Sequence, residues 1–273
     1  MEDLKQHINL LNKEIKLISH NKFDLRTIRN ALEFSPDTKM TNELFMDTYL
    51  INYITDEVRG KIKEEIAKIP DDDHSRAFLK ELLTRKILYI GAECEQLGLI
   101  DIEKEFELLK ATLVDEYLSI VRVDPPTADN FIDQWDIVRP NIIFMSCHGN
   151  EYGLFLKNKY DLSTCKHVLN TELKYFFDTR SEYTECVVLS ACQSLELGKN
   201  IRDSGKHVVS INAKVNINTA TQFLIYFLKH LNNHSLDNSD VYEHAYTTAI
   251  EKIEMESLPD TFSFAFEKAA KIF

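Results

Sequence analysis

The chain has 273 residues, of which 44% are hydrophobic, and it carries 32 Lys and Arg against 44 Asp and Glu, a net charge of -12. This length suffices for one sizeable α/β domain and a small helical one. The acidic balance repels a phosphate backbone, so nucleic acid is not expected as a partner. With 7 glycines and neither a G-x-x-x-x-G-K-[ST] nor a G-x-G-x-x-G motif, the sequence also argues against a built-in nucleotide site.

The first residues and the cysteine pattern predict the cellular compartment of the protein. Neither a signal-peptide pattern nor a run of about 18 apolar residues follows Met1, so the sequence predicts a cytoplasmic protein without a membrane contact. The 5 cysteines are odd in number and contain no C-x-x-C pair. This pattern predicts free thiols in a reducing compartment rather than a disulfide framework. One of these thiols is then available as a reactive group.

Residues 1–84 are predicted to form an all-helical domain. Apolar residues recur at steps of three and four from Leu4 to Ile18, which places them on one helix face. A long helix with a similar apolar line is predicted over about 41–69. The periodicity changes after residue 84, and this change predicts a domain boundary there.

From residue 85 onward, short apolar strands alternate with amphipathic helices, a pattern typical of βαβ units. Strands are predicted at 86–91, 117–123, 141–146, 186–191 and 207–211, and Phe262, Phe264 and Phe266 alternate as in a final strand. Helices are predicted at 102–114, 128–138, 170–177, 195–203, 219–232 and 240–255. The predicted fold over 85–273 is an α/β domain with a mostly parallel sheet that ends in an antiparallel strand.

A histidine and a cysteine follow two of these predicted strands. His148 comes after strand 141–146, and Cys192 comes after strand 186–191. Sheets of this class place their sites at the carboxyl ends of strands. A Cys thiolate can attack a peptide carbonyl when an imidazole stabilises it and protonates the leaving amine. The backbone N–H groups of Gly149 and Cys192 are the candidates for holding the oxyanion that forms.

Four stretches resemble the signature segments of bacterial CHAT domains, which belong with the caspases. The family's first strand and helix correspond to KILYIGAECEQLGLIDIEKEFELLKATL, and its strand that runs into His-Gly and a Gly-Leu strand corresponds to PNIIFMSCHGNEYGLFL. The strand that ends in Ala-Cys-x-Ser corresponds to CVVLSACQS, and the next strand and helix correspond to HVVSINAKVNINTATQFLIYFLKHL. The segments come in the family order, and the resemblance covers about 86–255. It implies a caspase–haemoglobinase fold and a cysteine endopeptidase that needs no cofactor and works through a thioester acyl-enzyme. His148 and Cys192 stand at the family's catalytic positions.

The same resemblance implies partners and a substrate pocket. In similar proteins, helical regions such as 1–84 are commonly recruitment or association modules, often in bacterial defence systems. An activating protein partner or self-association through this region is therefore expected, with a protein as substrate. The pocket candidates are Glu93, Ser190 and Asn212. Ser190 stands where metacaspase-like enzymes have an Asp that favours Arg or Lys, so a dominant preference for basic residues is not expected.

Two other interpretations compete with the peptidase. A metal site would use Cys147, His148, Cys165 and His167, but their spacing differs from the C-x₂₋₄-C and H-x₃₋₅-H of structural zinc sites, and no metal is expected. Adjacent Cys147 and His148 would project to opposite faces of an extended strand, so Cys147 is expected to pack against the sheet. The second alternative is a catalytically inactive caspase-fold adaptor that acts through protein–protein contacts.

Overall fold

The computed structural model of the chain describes residues 84–98, 100–113, 118–180, 184–233 and 240–269. The predicted helical domain lies outside the described residues except for Thr84, so its helices and its interaction role stay predictions. The described part is an α/β unit, as predicted for 85–273. Across these described ranges, no helix is both long and apolar enough to cross a membrane.

The strands of the described residues form one large sheet and one small sheet. Their bounds are β1 Arg85–Ala92, β2 Leu118–Arg122, β3 Ile142–Cys147, β4 Gly149–Asn150, β5 Gly153–Asn158, β6 Asp161–Leu169, β7 Cys186–Ser190, β8 His207–Ile211 and β9 Phe264–Glu267. The large sheet has the order β2-β1-β3-β7-β8-β9. Its first five strands pair in parallel, and β9 pairs antiparallel with β8. This confirms the predicted sheet.

Six helices connect these strands, and each lies within two residues of its predicted bounds. They are α1 Ile102–Thr112, α2 Ala128–Val138, α3 Asn170–Thr179, α4 Leu195–Arg202, α5 Ile217–Asn233 and α6 Val241–Met255. The Asp101 side chain accepts a hydrogen bond from the Lys104 N–H at 3.1 Å, and the Thr127 hydroxyl accepts one from the Asn130 N–H at 3.2 Å. Each cap satisfies one backbone N–H that has no partner inside its helix.

The large sheet is covered by helices on both faces. Successive side chains of a strand point to opposite faces, so Ile87 and Tyr89 of β1 enter one apolar layer while Leu88 and Ile90 enter the other. One layer is completed by α1, α5 and α6, and the other by α2, α3 and α4. This burial on both faces explains why the strands appear in the sequence as nearly continuous apolar runs.

The small antiparallel sheet has the order β4-β5-β6. Strand β5 is the Gly-Leu strand that the family resemblance implied. Strand β6 was not predicted, because most of its residues are polar or charged and more than half of them are exposed. A strand with little burial leaves no apolar alternation in the sequence to reveal it.

One aromatic residue was wrongly assigned to the final strand. Phe262 lies in a 3₁₀ helix, Thr261–Ser263, and its side chain is 89% exposed. The strand begins only at Phe264, which pairs with Ile211 of β8. The alternation of phenylalanines gave no sign of the turn before the strand, where Asp260 has a left-handed φ of 64°.

Candidate active site

His148 and Cys192 lie at the same edge of the large sheet. Strands β3 and β7 are neighbours and run parallel, with Ser146 opposite Ser190. His148 and Cys192 each follow two residues after this pair. Parallel neighbours end on the same side, so the topology brings the imidazole-bearing and thiol-bearing loops together.

Gly149 is in direct contact with the backbone of Cys192. A Cβ atom at position 149 would lie 2.8 Å from the Cys192 carbonyl oxygen and 3.2 Å from Cβ of Ala191. It would also approach Leu154 Cδ2 to 3.1 Å. These distances are too short for ordinary packing, so the close approach of the two loops requires a residue without a side chain.

The pairing of β4 with β5 sets the direction of the Gly149 N–H. Gly149 lies opposite Leu154, and the Phe155 N–H donates to the His148 carbonyl at 2.9 Å. In an antiparallel ladder this makes Gly149 and Leu154 a pair that exchanges no hydrogen bonds. The N–H of Gly149 therefore points away from β5. This direction suits its predicted role as an oxyanion donor.

The His148 ring is oriented by a backbone carbonyl that the sequence did not reveal. Its Nε2 lies 2.9 Å from the Gly98 carbonyl oxygen. Because a carbonyl only accepts, Nε2 carries the proton and Nδ1 is the basic nitrogen of the neutral ring. Gly98 follows the 3₁₀ helix Glu95–Leu97 with φ 115° and ψ 163°, a conformation open essentially to glycine alone. The only signal in the sequence was the glycine itself.

The loop that carries Cys192 is attached to β8. The Ser194 N–H donates to the Ile211 carbonyl at 2.7 Å, and the Ile211 N–H donates to the Ser194 hydroxyl at 3.0 Å. Gln193 adopts a left-handed φ of 57° between this anchor and the thiol. Helix α4 begins at Leu195, so its amino-terminal end lies close to Cys192 in the chain. Cys192 itself is free and half-buried.

Cys147 has the opposite surroundings. Its side chain is buried in the apolar layer formed with α2, α3 and α4. Burial raises the pKa of this thiol to about 12, so it is protonated at neutral pH and a poor nucleophile. The expectation that Cys147 packs against the sheet is confirmed. Cys186 is likewise buried, and burial raises its pKa well above the usual range.

The three pocket candidates lie at the ends of three different strands. Glu93 follows β1, Ser190 is the last residue of β7, and Asn212 follows β8. Since all three strands are parallel, the candidates share the sheet edge with His148 and Cys192, but they are spread along it rather than clustered. Glu93 and Ser190 are half-buried, whereas Asn212 is exposed and its N–H donates to the Ser263 carbonyl at 2.8 Å.

The expectation of free thiols was wrong for two cysteines. Cys94 and Cys165 form a disulfide, with their Cα atoms 6.0 Å apart. The bond joins the loop after β1 to the unpredicted strand β6, so the chain pattern gave no sign that the two residues meet. It also removes Cys165 from the alternative metal site. Among the described residues, no group of three or more His, Cys, Asp or Glu side chains could hold a metal ion.

A buried carboxyl group near the site was also missed. Glu105 of α1 accepts hydrogen bonds from the Tyr89 hydroxyl at 2.8 Å and from the Thr221 hydroxyl at 3.2 Å, and Ser146 is a third hydroxyl partner. Burial raises the pKa of Glu105, and the three hydroxyl groups oppose that rise. The cluster fastens β1 and β3 to α1 and α5 just before His148. In the sequence this residue looks like one more acid on an amphipathic helix.

The chain was compared with family models, curated proteins and solved structures. No protein-family model matches the chain, and no curated protein matches it. Among solved structures, the crystal structure of the Arg-specific cysteine proteinase gingipain R is similar, with a TM-score of 0.44 and 16% identity over 70% of this chain and 48% of that chain. The chain thus spans about half the length of that proteinase. The described part is an α/β protein with a mostly parallel six-stranded sheet between helical layers.

Proposed function

We propose that the chain is a cysteine endopeptidase of the CHAT type with a caspase–haemoglobinase fold, in which Cys192 is the nucleophile and His148 is the base. One observation carries the proposal. The loops after β3 and β7 meet where Gly149 contacts the Cys192 carbonyl, beside an imidazole whose Nε2 is already bound to Gly98. The arrangement leaves a basic nitrogen for a half-buried, free thiol at the same sheet edge.

The proposed reaction proceeds in two halves. His148 Nδ1 takes the proton of the Cys192 thiol, and the sulfur attacks the carbonyl carbon of the scissile bond. Backbone N–H groups of Gly149 and Cys192 bind the oxyanion. The C–N bond then breaks, the imidazolium gives its proton to the leaving amine, and a thioester remains. Water attacks the thioester while His148 takes its proton, and the thiol and a new carboxyl group are released.

The biological role follows the family resemblance. We propose a signal-activated effector of bacterial defence or regulated death, in which residues 1–84 receive the activating partner or self-associate. A chain that begins at Arg85 should then keep the reaction of Cys192 with an electrophilic thiol probe and lose its response to the activator. An unfolded truncated chain would instead assign residues 1–84 to the structural core.

The decisive experiment maps cleavage sites across a proteome with the wild type and with Cys192→Ala, and then follows one mapped substrate. Groups that act as one unit are non-additive on removal, so Cys192→Ala, His148→Ala and the double variant should fall to a similar background. Cys147→Ala is the matched control and should retain most of the activity, since its thiol is buried in the apolar layer beneath the sheet. If the wild type cleaves no faster than the background of Cys192→Ala, the peptidase is excluded and the inactive adaptor is favoured.

A further inference from the structure

An aromatic side chain is held in solvent beside the candidate site. Phe262 is 89% exposed, while its neighbours Thr261 and Ser263 are each only 9% exposed. The backbone before it is fixed, because the Asp260 carboxylate accepts a hydrogen bond from the Asn216 N–H at 2.9 Å. Asp260 also takes a left-handed φ of 64°, a conformation that Asp adopts more readily than most non-glycine residues. An exposed apolar ring leaves water only when another molecule covers it, and that burial is favourable.

Hydrogen bonds connect the Phe262 helix to the loop of the nucleophile. The Ser263 carbonyl accepts from the Asn212 N–H at 2.8 Å, and the Ala213 carbonyl accepts from the Gln193 N–H at 3.4 Å. Gln193 directly follows Cys192. The position of the exposed ring is therefore tied, through the end of β8, to the position of the thiol.

The spacing of the sheet sets how far a substrate must reach. Strands β7 and β8 are hydrogen-bonded neighbours, and such neighbours lie about 4.8 Å apart. An extended peptide advances about 3.3 Å per residue. A peptide with its scissile carbonyl at Cys192 thus brings a side chain to the end of β8 within one to three residues of the cut. Two exposed apolar residues neighbour this end of β8 in the chain. Phe262 precedes Ser263, whose carbonyl accepts from the Asn212 N–H, and Ile217, which is 48% exposed, follows Asn216, whose N–H donates to Asp260.

We infer that Phe262, with Ile217 beside it, forms a subsite for an apolar side chain of the substrate, one to three residues from the cut bond. The inference rests on the proposed function and adds the substrate class to it. A peptide side chain that covers the ring removes apolar surface of both partners from water, which stabilises the complex. An acidic side chain has no comparable gain there, because the face of the ring carries negative potential. The preferred substrates are therefore peptides with Leu, Ile, Phe or a similar residue at that position.

The test uses the full chain, activated as in the cleavage-site map, and a peptide library randomised at three positions on each side of the cut. Wild type should favour apolar over polar residues at one position by about tenfold or more. Phe262→Ala should lose that preference, and Phe262→Leu should keep part of it. Ile137→Ala is the matched control, because Ile137 is 72% exposed at the end of α2, at the opposite edge of the sheet.

Two results would overturn the subsite. Either the wild type shows no apolar preference at any of the six library positions, or Phe262→Ala, shown to be folded by thermal unfolding, keeps the preference unchanged. Library cleavage that is the same in Cys192→Ala and in wild type is a different result. It would remove the proposed function itself, and the subsite with it.

Discussion

Replacing Gly149 with Ala tests the contact on which the candidate site depends. The new Cβ would meet the Cys192 carbonyl oxygen at 2.8 Å, whereas non-bonded heavy atoms pack best at about 3.5 Å or more. The Cys192 backbone must then move by roughly half an ångström or more, and such overpacking costs about 1–3 kcal/mol of stability. A displacement of about 1 Å in a catalytic group lowers the rate about 100-fold. Because the expected movement of Cys192 is between about half an ångström and 1 Å, we expect kcat to fall between about tenfold and 100-fold.

The assay measures kcat on a mapped substrate, the rate of labelling of Cys192 by an electrophilic probe, and the free energy of unfolding in urea. Gly198→Ala is the matched control, because a Cβ at Gly198 of α4 would lie 2.9 Å from the hydroxyl oxygen of Ser210 in β8. It should change stability without a comparable loss of kcat. A folded Gly149→Ala protein with wild-type kcat and labelling rate would refute the reasoning.

Three further changes test other parts of the structure. Gly98→Ala places a side chain on a backbone with φ 115°, so we expect the Gly98 carbonyl to turn away from His148. Both kcat and the rate of thiol labelling should then fall, and unchanged values would show that this carbonyl has no part in catalysis. Burial raises the pKa of Glu105 from its ordinary 4.5, so its contribution to stability is full below pH 4.5 and is lost as pH rises toward the folded pKa. Relative to Glu105→Gln, the wild-type unfolding free energy should therefore fall above pH 4.5, and parallel pH profiles would contradict this. Changing Cys94 and Cys165 together to Ser removes a bond across 71 residues, and urea unfolding should show a loss of about 4 kcal/mol from the freed chain entropy, with no loss contradicting it.

The sequence predicted the large sheet because both faces of its strands are buried. Residues such as Ile87 and Leu88 must all be apolar when helices cover each side, and this leaves a pattern that a single sequence carries. The placement of His148 and Cys192 followed from the same strands, since carboxyl ends of parallel neighbours share an edge.

The rest depends on contacts between distant parts of the chain. The carbonyl of Gly98 approaches His148 across 50 residues. Every residue has a carbonyl, so beyond the glycine itself the sequence does not mark that role. Cys94 meets Cys165 through a strand whose exposed residues show no apolar alternation. Glu105 is buried among hydroxyl groups from β1, β3 and α5, a set that only the assembled fold brings together.

The Cys94–Cys165 bond makes a covalent ring of one part of the chain and leaves the rest outside it. It closes a ring that contains His148, whereas Cys192 lies outside that ring. A single backbone cut between the two bonded cysteines opens the ring and releases no fragment, so the nicked protein runs as one band without reductant and as two with it. A cut between Cys165 and Cys192 separates the histidine from the cysteine, and the two halves of the site are then held together by non-covalent contacts such as the pairing of β3 with β7 and the hydrogen bond from Thr221 to Glu105.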